Sequence, residues 1–346
     1  MERSPTTAQR RRAAAAAAAL AASAAGRATW EQARALRDVP PELRRAAMLV
    51  SFVLPPPPLL ALVSSLPVPA APVVDGVVVE RRSVPGAGGR DPVEVWVYEP
   101  VGRTRPSGAL LWMHGGGYVL GHPVMDHGTC SRVARDLGVL VVSVRYSLAP
   151  ARPFPAGLDD ARGVLRWLQE RSGDLGVDPR RVAVGGESAG GGLAAALAQQ
   201  ARDTGSPVAF QLLVYPMLDD RTALDRGRSR TLVWTPQSNR VAWGAYLGHP
   251  VEDGEDRPYA VAARREDLSG LPPAWIGVGT PDLFRDEDVA YAHRLEAAGV
   301  PCRLEVVPGM YHGAWSLAAD APPVAALRES ATRALGRALG APTSAG

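Results

Sequence analysis

The run Val182-Ala183-Val184-Gly185-Gly186-Glu187-Ser188-Ala189-Gly190-Gly191 leaves the chain few ways to fold there. The apolar stretch before Gly186 reads as a buried strand, and Leu193 and Leu197, four residues apart among alanines, read as one face of a helix. Between them the chain must fold back sharply, and Gly186 and Gly190 omit the Cβ atoms that would collide in such a turn. The serine between the glycines then carries a strained backbone. Its hydroxyl stands above the sheet at the positive end of the helix, where developing negative charge is stabilised. An ordinary small-residue turn shares the five-residue pattern, so the reading needs support from elsewhere in the chain.

Support comes first from Leu111-Trp112-Met113-His114-Gly115-Gly116-Gly117-Tyr118, which again closes an apolar strand. Three successive glycines let backbone N–H groups turn inward with no side chain in the way, as an oxyanion hole requires. A phosphate cradle would want Lys-Ser or Lys-Thr after the glycines, and the chain contains no lysine. A serine nucleophile of this type is followed along the chain by an acid and then a histidine, each on a loop after a late strand. Asp282 directly follows the apolar run Ala274 to Thr280 and Pro281, and His312 follows Cys302 to Val307 through Pro308-Gly309-Met310-Tyr311. Of the other five histidines, His114, His122, His127 and His249 lie upstream of Asp282, and His293 falls in a helical pattern with Val289 and Leu295. Asp286 and Asp288 are rival acids, read as charges in the first turn of a helix.

With these motifs in this order, the chain resembles the hormone-sensitive lipase family of α/β-hydrolases, the bacterial group of small carboxylesterases, from about Val79 onward. The resemblance rests on His114 to Gly117, Gly186 to Gly191, Asp282-Leu283-Phe284-Arg285-Asp286-Glu287 and His312-Gly313. Tyr146-Ser147-Leu148-Ala149-Pro150 and Pro153-Phe154-Pro155-Ala156 add to it. Departures are Glu187 where the family usually has Asp or Thr, Ser147 for Arg, Ala151 for Glu, and Ala314 between His312-Gly313 and the aromatic Trp315. The resemblance implies Ser188 as nucleophile, His312 as base, Asp282 as the orienting acid, and the N–H groups of Gly116, Gly117 and Ala189 as the oxyanion hole. It implies no metal and no organic cofactor. The substrate would be a small-molecule carboxylic ester with a short to medium acyl chain. An amidase or deacetylase with the same triad is the alternative. A binding protein on an inactive scaffold would lack a triad member, and none is missing.

Strands alternate with helices: Val93 to Tyr98, Ala109 to Met113, Val139 to Tyr146, Val182 to Gly185, Phe210 to Tyr215, Ala274 to Val278 and Arg303 to Val307, against helices at His127 to Leu137, Leu158 to Arg171, Ala189 to Arg202, Arg285 to Ala298 and Pro323 to Leu339. The expected fold is α/β: a mostly parallel sheet of about eight strands covered on both sides by helices. Two regions break the rhythm, about 31–70 and 219–271, and are expected to form a helical cap within an α/β-hydrolase domain spanning 31–346. Trp234 and Trp243 suit a pocket lid or a cap core, with cap core the reading for Trp243. Tyr118, Tyr215, Trp234 and Met310 are candidate pocket residues, as is Trp315 beside the histidine.

All 38 basic residues are arginine against 35 acids, a balance that argues against nucleic acid as a partner and fits the codon bias of a GC-rich genome. Arg264-Arg265 and Arg228 to Arg230 read as solvated charges. Cys130 and Cys302 are expected as free thiols, with no disulfide framework and no metal site. Residues 1–30 read as an alanine- and arginine-rich leader, and Leu20 is the one strong apolar residue of its Ala13 to Ala21 run, favouring retention in the cytoplasm over export as a signal peptide. Met48 to Leu66 is broken by Pro55 to Pro58, so no membrane span is expected. A homodimer stays open.

Overall fold

In the computed structural model, which describes residues 36–49, 54, 60, 68–225 and 231–341, eight strands form one sheet. They are β1 (Val77–Val84), β2 (Val93–Pro100), β3 (Ser107–Met113), β4 (Leu140–Val144), β5 (Val177–Glu187), β6 (Phe210–Val214), β7 (Ala274–Gly279) and β8 (Cys302–Val307). The spatial order is β1-β2-β4-β3-β5-β6-β7-β8, with β2 antiparallel to both neighbours and every other pairing parallel. β1 is absent from the seven strands read off the sequence. It is an edge strand paired only with β2, only its Val84 is buried, and Glu80-Arg81-Arg82 interrupts its apolar pattern.

Seven helices matter here: α1 (Pro41–Leu49), α2 (His127–Leu137), α3 (Ala156–Glu170), α4 (Ala189–Asp203), α5 (Pro236–Leu247), α6 (Arg285–Ala297) and α7 (Pro322–Leu339). Side chains alternate across the sheet with the period of two that a strand imposes. Ala109, Leu111 and Met113 of β3 join the apolar cluster with α3 and α4, while Leu110 and Trp112 join the cluster with α2 and α7. The sheet is therefore buried on both faces, which is why its inner strands are continuous apolar runs. Because β3, β5, β6 and β7 run parallel, their carboxyl ends lie side by side. Met113 pairs with Gly186, Glu187 with Val214, and Val214 with Gly277, so the loops that follow converge.

Between β6 and β7 the described residues hold α5 and no strand. Thr235 starts α5 by accepting the Ser238 N–H at 3.1 Å, Pro236 occupies the first turn, and Gly248 ends it in the left-handed conformation. The Leu54 N–H donates to Ser238 Oγ at 3.1 Å, and Leu54 and Leu60 are buried in the same cluster as Trp234 and Trp243. Arg264 and Arg265 are not the solvated charges expected. Arg264 forks onto Asp220 at 2.8 and 3.1 Å and Arg265 onto Asp203, because a guanidinium presents parallel N–H groups that match a carboxylate. The leader, Arg228 to Arg230 and the proline run at 55–58 lie outside the described residues. Cys130 and Cys302 are free thiols. No helix among the described residues is long and apolar enough to cross a membrane.

Candidate active site

Ser188 sits between β5 and α4 with φ 55° and ψ −121°, a backbone conformation that non-glycine residues rarely adopt. Three main-chain hydrogen bonds hold it there. Its N–H donates to the Val214 carbonyl at 2.9 Å, and its carbonyl accepts from Gly192 at 3.0 Å and Met217 at 2.9 Å. The glycines are required by close approach. A Cβ on Gly190 would lie 2.1 Å from the Met113 carbonyl oxygen, and one on Gly186 would lie 2.4 Å from Gly190 itself.

His312 Nε2 lies 2.9 Å from Ser188 Oγ, and His312 Nδ1 lies 2.9 and 3.1 Å from the two Asp282 oxygens. Asp282 Oδ1 also accepts the Phe284 N–H at 2.9 Å, which aims the carboxylate. All three side chains are buried. Phe284 meets the His312 ring edge-on at 5.1 Å, and Tyr215 and Trp234 lie against the same ring at 4.7 and 6.2 Å. The imidazole is thus fenced on several sides, with one nitrogen toward the acid and the other toward the hydroxyl. Asp286 and Asp288 stand in the first turn of α6 as expected, yet Asp288 is wholly buried.

The glycine loop folds over this centre. Gly116 has φ 122° and Gly117 φ 62°, and a Cβ on Gly117 would lie 2.3 Å from the Trp234 ring. The N–H groups of Gly116, Gly117 and Ala189 have no main-chain acceptor outside regular elements among the described residues. Tyr118 and Met310 spend their side chains in packing. Tyr118 stacks on Tyr246 at 4.0 Å and donates to the Met217 carbonyl at 2.9 Å, and Met310, in the loop that carries His312, is fully buried. Trp243 is fully buried in the cluster that holds Tyr118, in keeping with a core role.

A profile described as alpha/beta hydrolase fold matches residues 110–316. The chain is 39% identical over 268 residues to the carboxylesterase NlhH of Mycobacterium tuberculosis, covering 75% of this chain and 83% of that protein. The chain belongs to the hormone-sensitive lipase family of α/β-hydrolases. It is an esterase of the carboxylesterase type. Other relatives agree: the ethyl acetate hydrolase of Pseudomonas putida is 37% identical over 210 residues, 59% of this chain and 65% of that one. The solved structure of a bacterial heroin esterase superposes with a TM-score of 0.80 at 36% identity, covering 88% of this chain and 99% of that one.

Glu187 is the residue of this esterase that the sequence left uninterpreted. Its Oε2 accepts from the Tyr215 hydroxyl at 3.2 Å and the Ser316 hydroxyl at 2.9 Å, and its Oε1 packs on Gly115. It therefore ties the glycine loop, the segment after β6 and the histidine loop to the end of β5. Burial holds its carboxyl above the usual range, opposed by the Ser316 bond and the His312 charge. The extra methylene relative to Asp supplies the reach to these partners, which only the folded chain brings together.

His114, in the glycine loop, is another buried titrating group. Nδ1 donates to the Gly115 carbonyl at 2.7 Å, the ring stacks on Tyr146 at 4.3 Å, and burial pushes its pKa down to about 4. The unfolded chain, with histidine near 6.5, binds more protons between these values, so stability is full above about pH 6.5 and falls as pH drops toward 4. The expected loss from His114 is about 3 kcal/mol, read as a falling urea midpoint over that window. His122 and His127 are shifted the same way by burial. His114→Gln should therefore shrink the slope rather than abolish it, and an unchanged slope would remove His114 from the account.

Proposed function

We propose that the esterase cleaves carboxylic esters with short to medium acyl chains through an acyl-enzyme on Ser188. The observation that carries this reading is the single imidazole that bridges a strained serine hydroxyl and a buried carboxylate. His312 takes the Ser188 proton as Oγ attacks the acyl carbonyl, and Asp282 stabilises the imidazolium that forms. The oxyanion of the tetrahedral intermediate is held by the N–H groups of Gly116, Gly117 and Ala189, aided by the positive end of α4. His312 then protonates the leaving alcohol. A water activated by the same histidine attacks the acyl carbonyl, releases the acid and returns the proton to Ser188.

In this reading the described residues within about 31–70 and 219–271 belong to the cap, supported by the Leu54 to Ser238 hydrogen bond and the shared burial of Leu54, Leu60, Trp234 and Trp243. Trp234 limits the acyl side, since its ring lies against both Gly117 and His312. The names of the relatives favour small acyl groups: one acts on ethyl acetate, and a Streptomyces hygroscopicus protein 34% identical over 209 residues is an acetyl-hydrolase. Tyr215 completes the wall beside His312.

A series of 4-nitrophenyl esters from acetate to laurate tests the reading, with kcat/KM expected to peak at short to medium chains. A maximum at laurate, or turnover confined to matched amides, would replace it. In the same series Trp234→Ala should raise the octanoate-to-acetate ratio of kcat/KM by about tenfold or more, the scale of a few methylenes admitted to an apolar pocket. An unchanged ratio would take Trp234 out of the acyl site.

A further inference from the structure

On the sheet face covered by α2 and α7, a cleft of about 720 Å³ is lined by Arg132, Val133 and Leu137 of α2, Arg328 of α7, and Trp315. Arg328 Nη2 donates to the Trp315 carbonyl at 2.6 Å and to Thr129 Oγ1 at 3.3 Å, and its guanidinium lies over the Trp315 ring at 4.9 Å. Three donors on residues that line the cleft are buried beneath its surface without an acceptor: Arg132 Nε, Arg328 Nε and Trp315 Nε1. Buried N–H groups of this kind are normally paired, most of all on a charged group.

The charges point the same way. Among the described residues neither Arg132 nor Arg328 forms an ion pair, while two of the cleft's three acids, Asp136 and Glu329, are taken by Arg135 and Arg333, and the third is Asp320. Asp320, on the cleft, and Glu187 act on Arg328 as charges beyond ion-pair distance. Burial, and then the like charge of Arg132, lower the Arg328 pKa. Two guanidiniums held near each other in a half-buried cleft, with apolar side chains beside them, match an anion that carries an aliphatic tail.

We propose that the cleft between α2 and α7 binds a small aliphatic carboxylate, its oxygens on Arg132 and Arg328 and its tail against Val133 and Leu137. The tail distinguishes this ligand from inorganic phosphate, which shares the oxyanion and lacks the apolar part. The site lies across the sheet from α3 and α4, and nothing in the hydrolytic steps above uses it.

Titration calorimetry on the full chain tests this. Ser188 is first blocked with diethyl 4-nitrophenyl phosphate, so that hexanoate cannot occupy the site above it. Hexanoate should then bind one-to-one, and inorganic phosphate at least about tenfold more weakly. Arg132→Leu keeps the aliphatic stem, removes the charge and should weaken hexanoate at least about tenfold, the scale of one charge-assisted hydrogen bond. Arg132→Glu supplies Arg328 with an internal anion, and should abolish hexanoate binding while raising the melting temperature. Absence of saturable hexanoate binding, or an unchanged dissociation constant in Arg132→Leu, overturns the proposal. Phosphate binding as tightly as hexanoate overturns the aliphatic part. Esterase activity that survives the blocking reagent counts against the Ser188 reading alone, because the Arg132 comparison is made on identically treated proteins.

Discussion

Ser188→Ala is expected to leave the fold intact and to lower ester turnover by about 10⁵-fold. The alanine removes the only hydroxyl within hydrogen-bond reach of His312 Nε2 among the described residues. A methyl in its place relieves nothing and clashes with nothing, so circular dichroism and melting temperature should match the parent. Asp282→Asn is the companion test. The amide can still meet His312 Nδ1, but it favours the wrong tautomer and no longer balances an imidazolium, for an expected loss of about 10³- to 10⁴-fold. Both losses should fall on kcat, since neither group is asked to hold the substrate in its ground state. Activity of Ser188→Ala above the level of a mock purification would end the acyl-enzyme mechanism. Near-normal turnover of Asp282→Asn would move the acid's role to a neighbour such as Asp286 or Asp288.

Gly190→Ala should be a severely damaging single methyl in the elbow. Its Cβ would lie 2.1 Å from the Met113 carbonyl oxygen and 2.5 Å from that of His114, both rigid backbone at the end of β3. Relief requires the elbow and the glycine loop to move apart, which breaks the geometry that both segments share. The expected cost is about 3–5 kcal/mol, with esterase activity lost in whatever fraction folds. Gly173→Ala is the control, because its added Cβ meets nothing within 4 Å. Denaturant unfolding of the pair should show Gly173→Ala within about 0.5–1 kcal/mol of the parent, in either direction. Equal stability of the two variants would mean that the elbow is looser than its contacts imply.

Much of the site is legible along the chain because its parts are local. The elbow is a five-residue event whose sterics are set by Gly186 and Gly190, and the glycine loop announces itself by three residues without side chains. Asp282 and His312 can be read because each directly follows a strand in the expected order. β1 escaped for the opposite reason. As an edge strand it has little to bury, so its sequence carries no clear period. Arg264 and Arg265 look solvated along the chain because their acids, Asp220 and Asp203, are 44 and 62 residues away.

What the sequence by itself determined is the family, the order of the motifs and the local shapes that present Ser188, since sterics and hydrophobic period act between near neighbours. What only the tertiary structure decided is which side chains meet. His312 reaches Ser188 across 124 residues because parallel strands set their carboxyl ends side by side. The same convergence gives Glu187 its Tyr215 and Ser316 partners, and packing of α2 against α7 brings Arg132 and Arg328 into one cleft. Such meetings depend on the register and layering of the whole sheet, which no short stretch of sequence encodes.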